Sequence, residues 1–237
     1  MPSQKSNMYA DTKTWNPFKG CRFDCTYCIP SFQLQSKRQK QICEKCYQYV
    51  PHCHDDRRLK QIPSASIIFV CGNADISFCP PRFTRTIIDA VTQHKSKKEK
   101  TFYFQSKRPS YFEQFLPLLP ENVSLLTTLE TNRDAGYGAV SKAPPPTERY
   151  RQFKKLKYPR KVVTIEPVMD FDEAVFPRWI VDLKPEYVWL GLNSRPKAVV
   201  LPEPSPDKLR KLVRVLKDAG IRIQGKELRG LALGIPK

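Results

Sequence analysis

Cys21-Arg-Phe-Asp-Cys25-Thr-Tyr-Cys28 is the most informative segment of this chain. Three cysteines lie within eight residues, and Tyr27 directly precedes the last of them. Three thiolates on a short loop can bind three irons of a cubane [4Fe–4S] cluster, which leaves the fourth iron open to a small molecule. The alternative is a zinc site in which a distant fourth ligand joins the three thiols. The spacing alone therefore indicates a three-thiolate metal loop.

The composition is that of a folded and strongly basic chain. It has 237 residues, of which 40% are hydrophobic, so one large domain with a core is expected rather than disorder. The net charge is +18, from 41 Lys and Arg against 23 Asp and Glu. This excess favours a polyanionic partner, either nucleic acid or a nucleotide. The alternative is that the positive charges lie on solvated helix faces.

The cysteine content and the N-terminal sequence bear on the cellular compartment. Residues 1–13 are polar and lack the apolar core of a signal peptide. No apolar run approaches the roughly 20 residues that span a bilayer. Clustered cysteines in a reducing compartment are typical of metal ligands rather than disulfides. The sequence therefore predicts a cytoplasmic protein without a membrane-spanning segment.

Apolar runs that suit buried strands alternate along the chain with segments of helical periodicity. Parallel strands joined by right-handed crossovers curl into a barrel, whose active-site residues follow the carboxyl ends of the strands. The pattern predicts strands at 12–16, 66–71, 101–105, 122–129, 161–165, 187–191 and 221–223, and helices at 82–94, 109–119, 147–156, 171–183 and 205–219.

The cysteine loop, with Tyr27 before its last cysteine, resembles the signature of the radical S-adenosylmethionine (SAM) superfamily. The resemblance implies a partial (β/α)6 barrel of the TIM type, with the cysteine loop after the first strand. It implies that SAM chelates the open iron and that Tyr27 packs near the adenine. A reductant such as flavodoxin or ferredoxin would supply the electron that cleaves SAM into methionine and a 5′-deoxyadenosyl radical. That radical would abstract hydrogen from a substrate.

A second resemblance extends along most of the chain. The stretch Thr14-Trp-Asn-Pro-Phe-Lys-Gly-Cys21 is similar to the opening of a phage-associated radical SAM-like family of unknown function. Residues 68–75, 101–109, 165–167 and 189–191 match its later motifs, each of which is weak alone. The chain departs from that family after the cysteine loop, where it is long and carries further cysteines. We therefore predict a single domain over residues 1–237 with a metal-binding insertion at about 29–64.

Polar side chains follow the predicted strand ends, where a barrel places its active site. Lys107 or Arg108 would bind the carboxylate of SAM, and Glu130 its ribose. The alternative is that such residues cap helices or pair with one another. The expected cofactor-binding residues are Tyr27, Asn73, Asp75, Ser106, Lys107, Arg108, Glu130 and Glu166.

A second group of cysteines and histidines lies in the insertion. Cys43 and Cys46 form a CxxC turn, and His52, Cys53 and His54 follow closely. Tetrahedral zinc accepts sulfur and imidazole ligands, so two of the last three residues would complete a four-ligand site. An auxiliary iron–sulfur cluster and free thiols in a basic insertion are the alternatives.

Cys79 follows the second predicted strand and is a candidate for returning a hydrogen atom to a product radical. It could equally be a buried small hydrophobic residue.

The sequence therefore predicts a radical SAM enzyme with a [4Fe–4S] cluster, SAM and a second metal such as zinc. Its substrate is expected to be a nucleotide or nucleic acid, on the basis of charge alone. One alternative is a non-catalytic nucleic-acid-binding protein stapled by zinc or an iron–sulfur cluster. Another is a radical SAM enzyme that acts on a small molecule and is incidentally basic.

Overall fold

The computed structural model describes residues 11–54, 56–94, 100–226 and 228–236; the first ten residues of the polar N-terminal segment lie outside them. Seven parallel strands form one sheet, in which each strand pairs with the next along the chain. This is the partial (β/α)6 barrel expected from the alternation of strands and helices. The strands are Thr12–Trp15 (β1), Ile67–Val70 (β2), Thr101–Gln105 (β3), Val123–Thr128 (β4), Lys161–Ile165 (β5), Tyr187–Leu190 (β6) and Arg222–Gly225 (β7).

The two faces of the sheet carry different side chains because successive residues of a strand point to opposite sides. One face packs against the helices and forms the main core, with Phe102 and Phe104 of β3 as examples. The other face carries a second apolar cluster, which includes Phe69, Tyr103 and Trp189. Inner-face side chains near the carboxyl ends of the strands, such as Phe69, lie at the mouth of the barrel.

Four longer helices cover the outer face, and each has a proline in its first turn, where no amide donor is needed. The helix predicted at 171–183 begins only at residue 176. An Asp172 side chain caps a preceding turn by accepting from the Ala174 amide at 2.8 Å. The segment predicted as a helix at 109–119 is a 3₁₀ helix, Pro109–Leu118, with Pro117 inside it. The longer helices are Pro81–Gln93 (α1), Pro146–Lys155 (α2), Phe176–Leu183 (α3) and Pro206–Asp218 (α4).

The predicted insertion is built from short elements. Its strand His52–Cys53 pairs antiparallel with Phe18–Lys19, next to the cysteine loop. In the described parts of the chain, no helix has the length and apolar character that crossing a bilayer requires. The remaining short helices are Thr26–Cys28, Ile29–Gln33, Leu34–Ser36, Lys37–Gln39, Glu44–Tyr47, Asp56–Lys60, Ile76–Phe78 and Tyr137–Ala139.

Helix α4 provides a test of the outer core. Leu212 is 1% exposed and packs against the sheet, whereas Val215 on the same helix is 42% exposed. We expect Leu212→Ala to lower the free energy of unfolding by about 2 to 5 kcal/mol, because it leaves a cavity. Val215→Ala should change it by less than about 0.5 kcal/mol. Urea unfolding followed by circular dichroism measures both, and equal effects would contradict this packing.

Candidate active site

The three cysteines of the loop after β1 line one end of a cavity of about 420 Å³ at the carboxyl ends of the strands. The loop is held by backbone hydrogen bonds to distant segments. The Cys21 amide donates to the Tyr49 carbonyl at 3.3 Å, and the Thr26 amide donates to the Val140 carbonyl at 2.9 Å. These contacts aim Cys21, Cys25 and Cys28 into the same space.

The environment of Cys25 favours its thiolate. Its Sγ lies 3.1 Å from the Ser141 hydroxyl and 3.4 Å from the Lys107 ammonium. A hydrogen bond from Cys28 lowers the pKa of Cys25, whereas burial raises it. The charge of Lys107 and a hydrogen bond to Ser141 lower the pKa as well, and the net result is about 6. Burial raises the pKa of Cys21. Burial therefore disfavours the thiolate of Cys21, whereas the neighbours of Cys25 favour its thiolate; a bound metal would deprotonate all three thiols.

Glu130 lies beneath this cavity at the centre of a buried ionic cluster. Its carboxylate lies 2.6 Å from Lys107 Nζ and 2.8 Å from Arg149 Nη2. It also accepts hydrogen bonds from the hydroxyls of Tyr27 and Tyr137. Burial alone would raise the pKa of Glu130, but the charges of Arg149 and Lys107 outweigh it and lower the pKa to about 2. The carboxylate is therefore ionised at neutral pH.

This geometry does not fit the expectation that Glu130 binds the ribose of SAM. Its side chain is 0% exposed, and both oxygens already have charged partners. The alternative, in which strand-end residues pair with one another, describes Glu130 better. Tyr27 and Lys107 both line the cavity, with the Tyr27 hydroxyl accepting from the Lys107 ammonium. The Glu130 cluster therefore forms the base on which these two side chains rest.

Asp75 and Ser106 connect the loops that follow β2 and β3. The Asp75 carboxylate accepts hydrogen bonds from the Ser106 hydroxyl and the Lys107 amide, each at 2.7 Å. Burial raises the pKa of Asp75, and these donors counteract part of that effect. Asp75 reaches the cavity wall, whereas Ser106 is completely buried. Both residues thus orient the backbone that carries Lys107.

Of the two basic residues expected at the SAM carboxylate, the structure brings only one to the cavity. Lys107 lines it, whereas Arg108 is exposed and lies outside the lining. The Arg108 guanidinium lies 5.6 Å from the ring centre of Phe23 and 5.7 Å from that of Phe78. Arg108 therefore covers an aromatic pair behind the cysteine loop.

Glu166 and Asn73 occupy opposite sides of the site. Glu166 lines the cavity and pairs with Lys226 at 2.5 Å, both at strand ends. The backbone carbonyl of Asn73 accepts a hydrogen bond from the Gly20 amide at 3.1 Å. Asn73 also lines a smaller neighbouring cavity of about 220 Å³. Asn73 thus supports the entry to the cysteine loop rather than the main cavity.

Cys79 is placed away from the cavity, so the role of hydrogen donor does not fit its position. It is buried in the main core together with Cys71. Burial raises the pKa of the Cys79 thiol to about 12, and its hydrogen-bond partners are Thr84 and Cys53. The alternative expectation, a small buried hydrophobic residue, describes it.

Two polar cavity residues, Thr128 and Thr164, were missed by the sequence analysis. The inner-face residues Gln105, Thr128 and Thr164 form a hydrogen-bonded row, with 3.0 Å from the Gln105 amide to Thr128 and 2.8 Å between the two threonine hydroxyls. Period-2 alternation within the strands was the signal that could have found them. Tyr49 and Phe32 reach the cavity from the insertion, for which no local pattern exists.

Comparison with known proteins adds a fold relationship. No protein-family profile and no curated protein sequence matches the chain. A cysteine-to-serine mutant of spore photoproduct lyase superposes with a TM-score of 0.62 at 10% identity, over 94% of this chain and 78% of that one. A radical SAM methyltransferase from Sphaerobacter thermophilus superposes with a TM-score of 0.59 at 14% identity, over 93% and 67%.

Another similar structure is a double mutant of spore photoproduct lyase with bound AdoMet and dinucleoside spore photoproduct. Its TM-score is 0.53 at 11% identity, over 86% of this chain and 60% of that one. The resemblance to the phage-associated family stays a prediction. At these identities the comparisons establish the architecture: this chain has the partial-barrel fold of radical SAM enzymes.

Proposed function

We propose that this protein is a radical SAM enzyme in which Cys21, Cys25 and Cys28 hold a [4Fe–4S] cluster. The observation that carries the proposal is the convergence of three thiols on one end of a cavity of about 420 Å³, at the strand ends of a barrel of this type. Among the described residues that line this cavity, neither a histidine nor a fourth cysteine accompanies them. The donor set fits a cluster with one iron open to SAM better than a four-ligand zinc site.

The bound cluster and SAM would supply one-electron chemistry that removes a hydrogen atom from a substrate. The chain contributes the surroundings for that chemistry. Ser141 and Lys107 contact Cys25 and stabilise its thiolate form. The row of Gln105, Thr128 and Thr164 offers hydrogen-bonding groups along the inner face. We assign these polar groups to the ribose and substrate hydroxyls, in place of Glu130.

Lys107 is the residue we assign to the carboxylate of SAM. It belongs to a group of three charges, in which Glu130 faces both Lys107 and Arg149. Lys107 is the member of this group that lines the cavity, where its ammonium also lies 3.4 Å from the Cys25 sulfur. A carboxylate bound beside Cys25 would accept a charge-assisted hydrogen bond from this ammonium. SAM carries such a group on the moiety that chelates iron.

A nucleotide or nucleic acid is the substrate class we propose. The net charge of +18 favours a polyanion, and Arg195 adds a cationic side chain to the cavity lining. A structure of similar fold holds a dinucleoside together with AdoMet. A small-molecule substrate is the alternative outcome of the test below.

The non-catalytic alternative, a metal-stapled binding protein, is less well supported. A purely structural metal is normally enclosed by four protein ligands. The three thiols instead border open space that extends to Leu192 and Lys226 on the far side of the barrel. Cleavage of SAM distinguishes the two functions directly.

Removal of one cluster ligand is the first test. We expect Cys25→Ala to lower bound iron and to abolish 5′-deoxyadenosine formation, because only two thiolates remain for the cluster. The protein is reconstituted with iron and sulfide under anaerobic conditions and reduced with dithionite. Iron is then quantified and 5′-deoxyadenosine is measured by chromatography.

Cys53→Ala is the matched control, since Cys53 is exposed and lies outside the cavity lining. It should retain the iron content and activity of the unaltered protein. Cleavage of SAM by Cys25→Ala at the rate of the control would rule out the cluster assignment. Absence of cleavage in the unaltered protein, despite a complete cluster, would favour the non-catalytic alternative or a requirement for bound substrate. Addition of candidate substrates separates those two.

Replacement of Lys107 tests the carboxylate assignment. We expect Lys107→Met to weaken SAM binding by about tenfold or more, because a charge-assisted hydrogen bond contributes about 1.5 to 3 kcal/mol. Glu130 keeps Arg149 as its ionic partner, so the fold should survive. Equilibrium dialysis of reconstituted protein with labelled SAM measures the affinity. Arg108→Met is the control and should bind SAM normally; equal losses in both variants would contradict the assignment.

The substrate class can be tested by stimulation of SAM cleavage. We expect DNA, RNA or a nucleotide to increase 5′-deoxyadenosine formation, with an effect that weakens as salt rises because phosphate contacts release counterions. Polyglutamate, a polyanion without bases, is the control. Stimulation by neither nucleic acids nor nucleotides would favour the small-molecule alternative.

A further inference from the structure

Three side chains of the insertion, Cys43, Cys46 and His52, converge outside the active-site cavity, and His54 lies beside them. The Nε2 atom of His52 lies 3.6 Å from the Sγ of Cys43 and 3.4 Å from that of Cys46. The Nε2 atom of His54 lies 3.3 Å from the Sγ of Cys46. The ligand atoms of Cys43, Cys46 and His52 all lie within 4.8 Å of one another. The ligand atoms of these three residues are thus close enough to share one ion, and the His54 imidazole adjoins them at Cys46.

These distances match the edges of a tetrahedral zinc site. With Zn–S bonds of about 2.3 Å and Zn–N bonds of about 2.0 Å, tetrahedral angles separate sulfur and nitrogen by roughly 3.5 Å. The three sulfur–nitrogen distances, 3.6, 3.4 and 3.3 Å, are all close to this value. Cys43, Cys46 and His52 thus fit three corners of a tetrahedral site, and the His54 imidazole beside Cys46 is placed to supply the fourth.

Hydrogen bonds among the four groups explain only part of this arrangement. The Nδ1 atom of His52 lies 2.7 Å from the Val50 carbonyl oxygen, which can only accept, so Nδ1 carries the proton. His52 Nε2 then presents one lone pair, against which two sulfur atoms are placed. A cation satisfies that lone pair and both thiolates together. The Val50 carbonyl would orient the imidazole, as partners of metal-bound histidines do.

The sequence left open which two of His52, Cys53 and His54 join the CxxC turn, and the strand geometry selects the two histidines. Successive side chains of a strand alternate, so His52 and His54 share one side and Cys53 points to the other. Cys53 is exposed, and its thiol contacts Cys79. The His54 amide donates to the Pro17 carbonyl at 2.8 Å, which extends the pairing of this short hairpin. The spacing of two residues therefore brings both imidazoles to the sulfurs.

From this geometry we infer that Cys43, Cys46, His52 and His54 bind a structural zinc ion. The segment they belong to contains a one-turn helix and a two-residue strand, elements too short to be stable alone. A metal with four protein ligands supplies the missing stabilisation in small units of this kind.

The zinc would also support the active site, because the segment that binds it contacts the cysteine loop. The Tyr49 carbonyl accepts the Cys21 amide, and the Tyr49 ring lines the cavity. The backbones of Gly20 and Val50 are in close contact. A Cβ atom on residue 20 would lie 2.2 Å from the Val50 carbonyl oxygen. The ion thus fixes one wall of the cavity beside the first cluster ligand.

The test separates this site from the cluster. A variant with Cys21, Cys25 and Cys28 all replaced by Ala is purified anaerobically, and zinc and iron are counted by mass spectrometry. We expect about one zinc per chain and no iron. This result does not depend on whether the protein cleaves SAM, so failure of the proposed function would leave it unchanged. Iron with iron–sulfur absorption in this variant would identify an auxiliary cluster and overturn the inference.

Ligand identity is tested in the same background. Cys46→Ser and His54→Ala should each lower zinc affinity by about tenfold or more. Cys53→Ala is the matched control and should keep it. Zinc lost from Cys53→Ala but kept by His54→Ala would overturn the assignment.

Cobalt provides a measurement that does not depend on whether a ligand variant folds. Zinc is removed from the three-alanine variant with a chelator, and Co²⁺ is added. We expect the absorption of tetrahedral cobalt together with thiolate charge-transfer bands, saturating at one equivalent. An octahedral cobalt spectrum, or no binding at all, would show that these residues are free thiols and imidazoles.

Discussion

The buried carboxylate of Glu130 connects the separate parts of this active site. Its ionic partners are Lys107, which follows β3, and Arg149 of helix α2. Its hydroxyl donors are Tyr27 of the cysteine loop and Tyr137. An ionised group with no exposed surface is tolerated only where charges and hydrogen bonds compensate it. The metal-binding loop, a strand end and a helix of the outer layer are therefore held in a fixed relation by one charge cluster.

The charge cluster around Glu130 also determines the position of the Lys107 ammonium in the cavity. Glu130 holds Lys107 at its Nζ atom, while Asp75 accepts the Lys107 backbone amide at 2.7 Å. Because both its backbone and its ammonium are held, Lys107 keeps its charge beside Cys25. The ammonium therefore need not move when an anion binds. On the other side of the loop, the hairpin that contains His52 supports Cys21 through the Tyr49 carbonyl. The proposed cluster site thus rests on an ionic base and on the proposed zinc-bound wall.

Most of the fold was predictable because the relevant signals are local. Apolar alternation identified the strands Thr101–Gln105 and Lys161–Ile165 with their observed bounds, and the other strands within about one or two residues. The predicted start of helix α3 at residue 171 was wrong, because the turn capped by Asp172 competes with helix formation before Pro177. The 3₁₀ geometry of Pro109–Leu118 was missed because helical periodicity does not distinguish it from an α-helix.

The amino-acid sequence alone determined the three-cysteine loop, the strand order of the barrel and the short list of polar residues at its mouth. Tertiary structure decided what those polar residues do. Tyr27 and Glu130 are 103 positions apart, yet they share a hydrogen bond that removes Glu130 from the cavity. Whether Cys53 or His54 joins the CxxC turn likewise depends on the pairing of a hairpin. Local patterns encode which face a side chain takes, whereas its partner depends on contacts between segments that only the folded chain brings together.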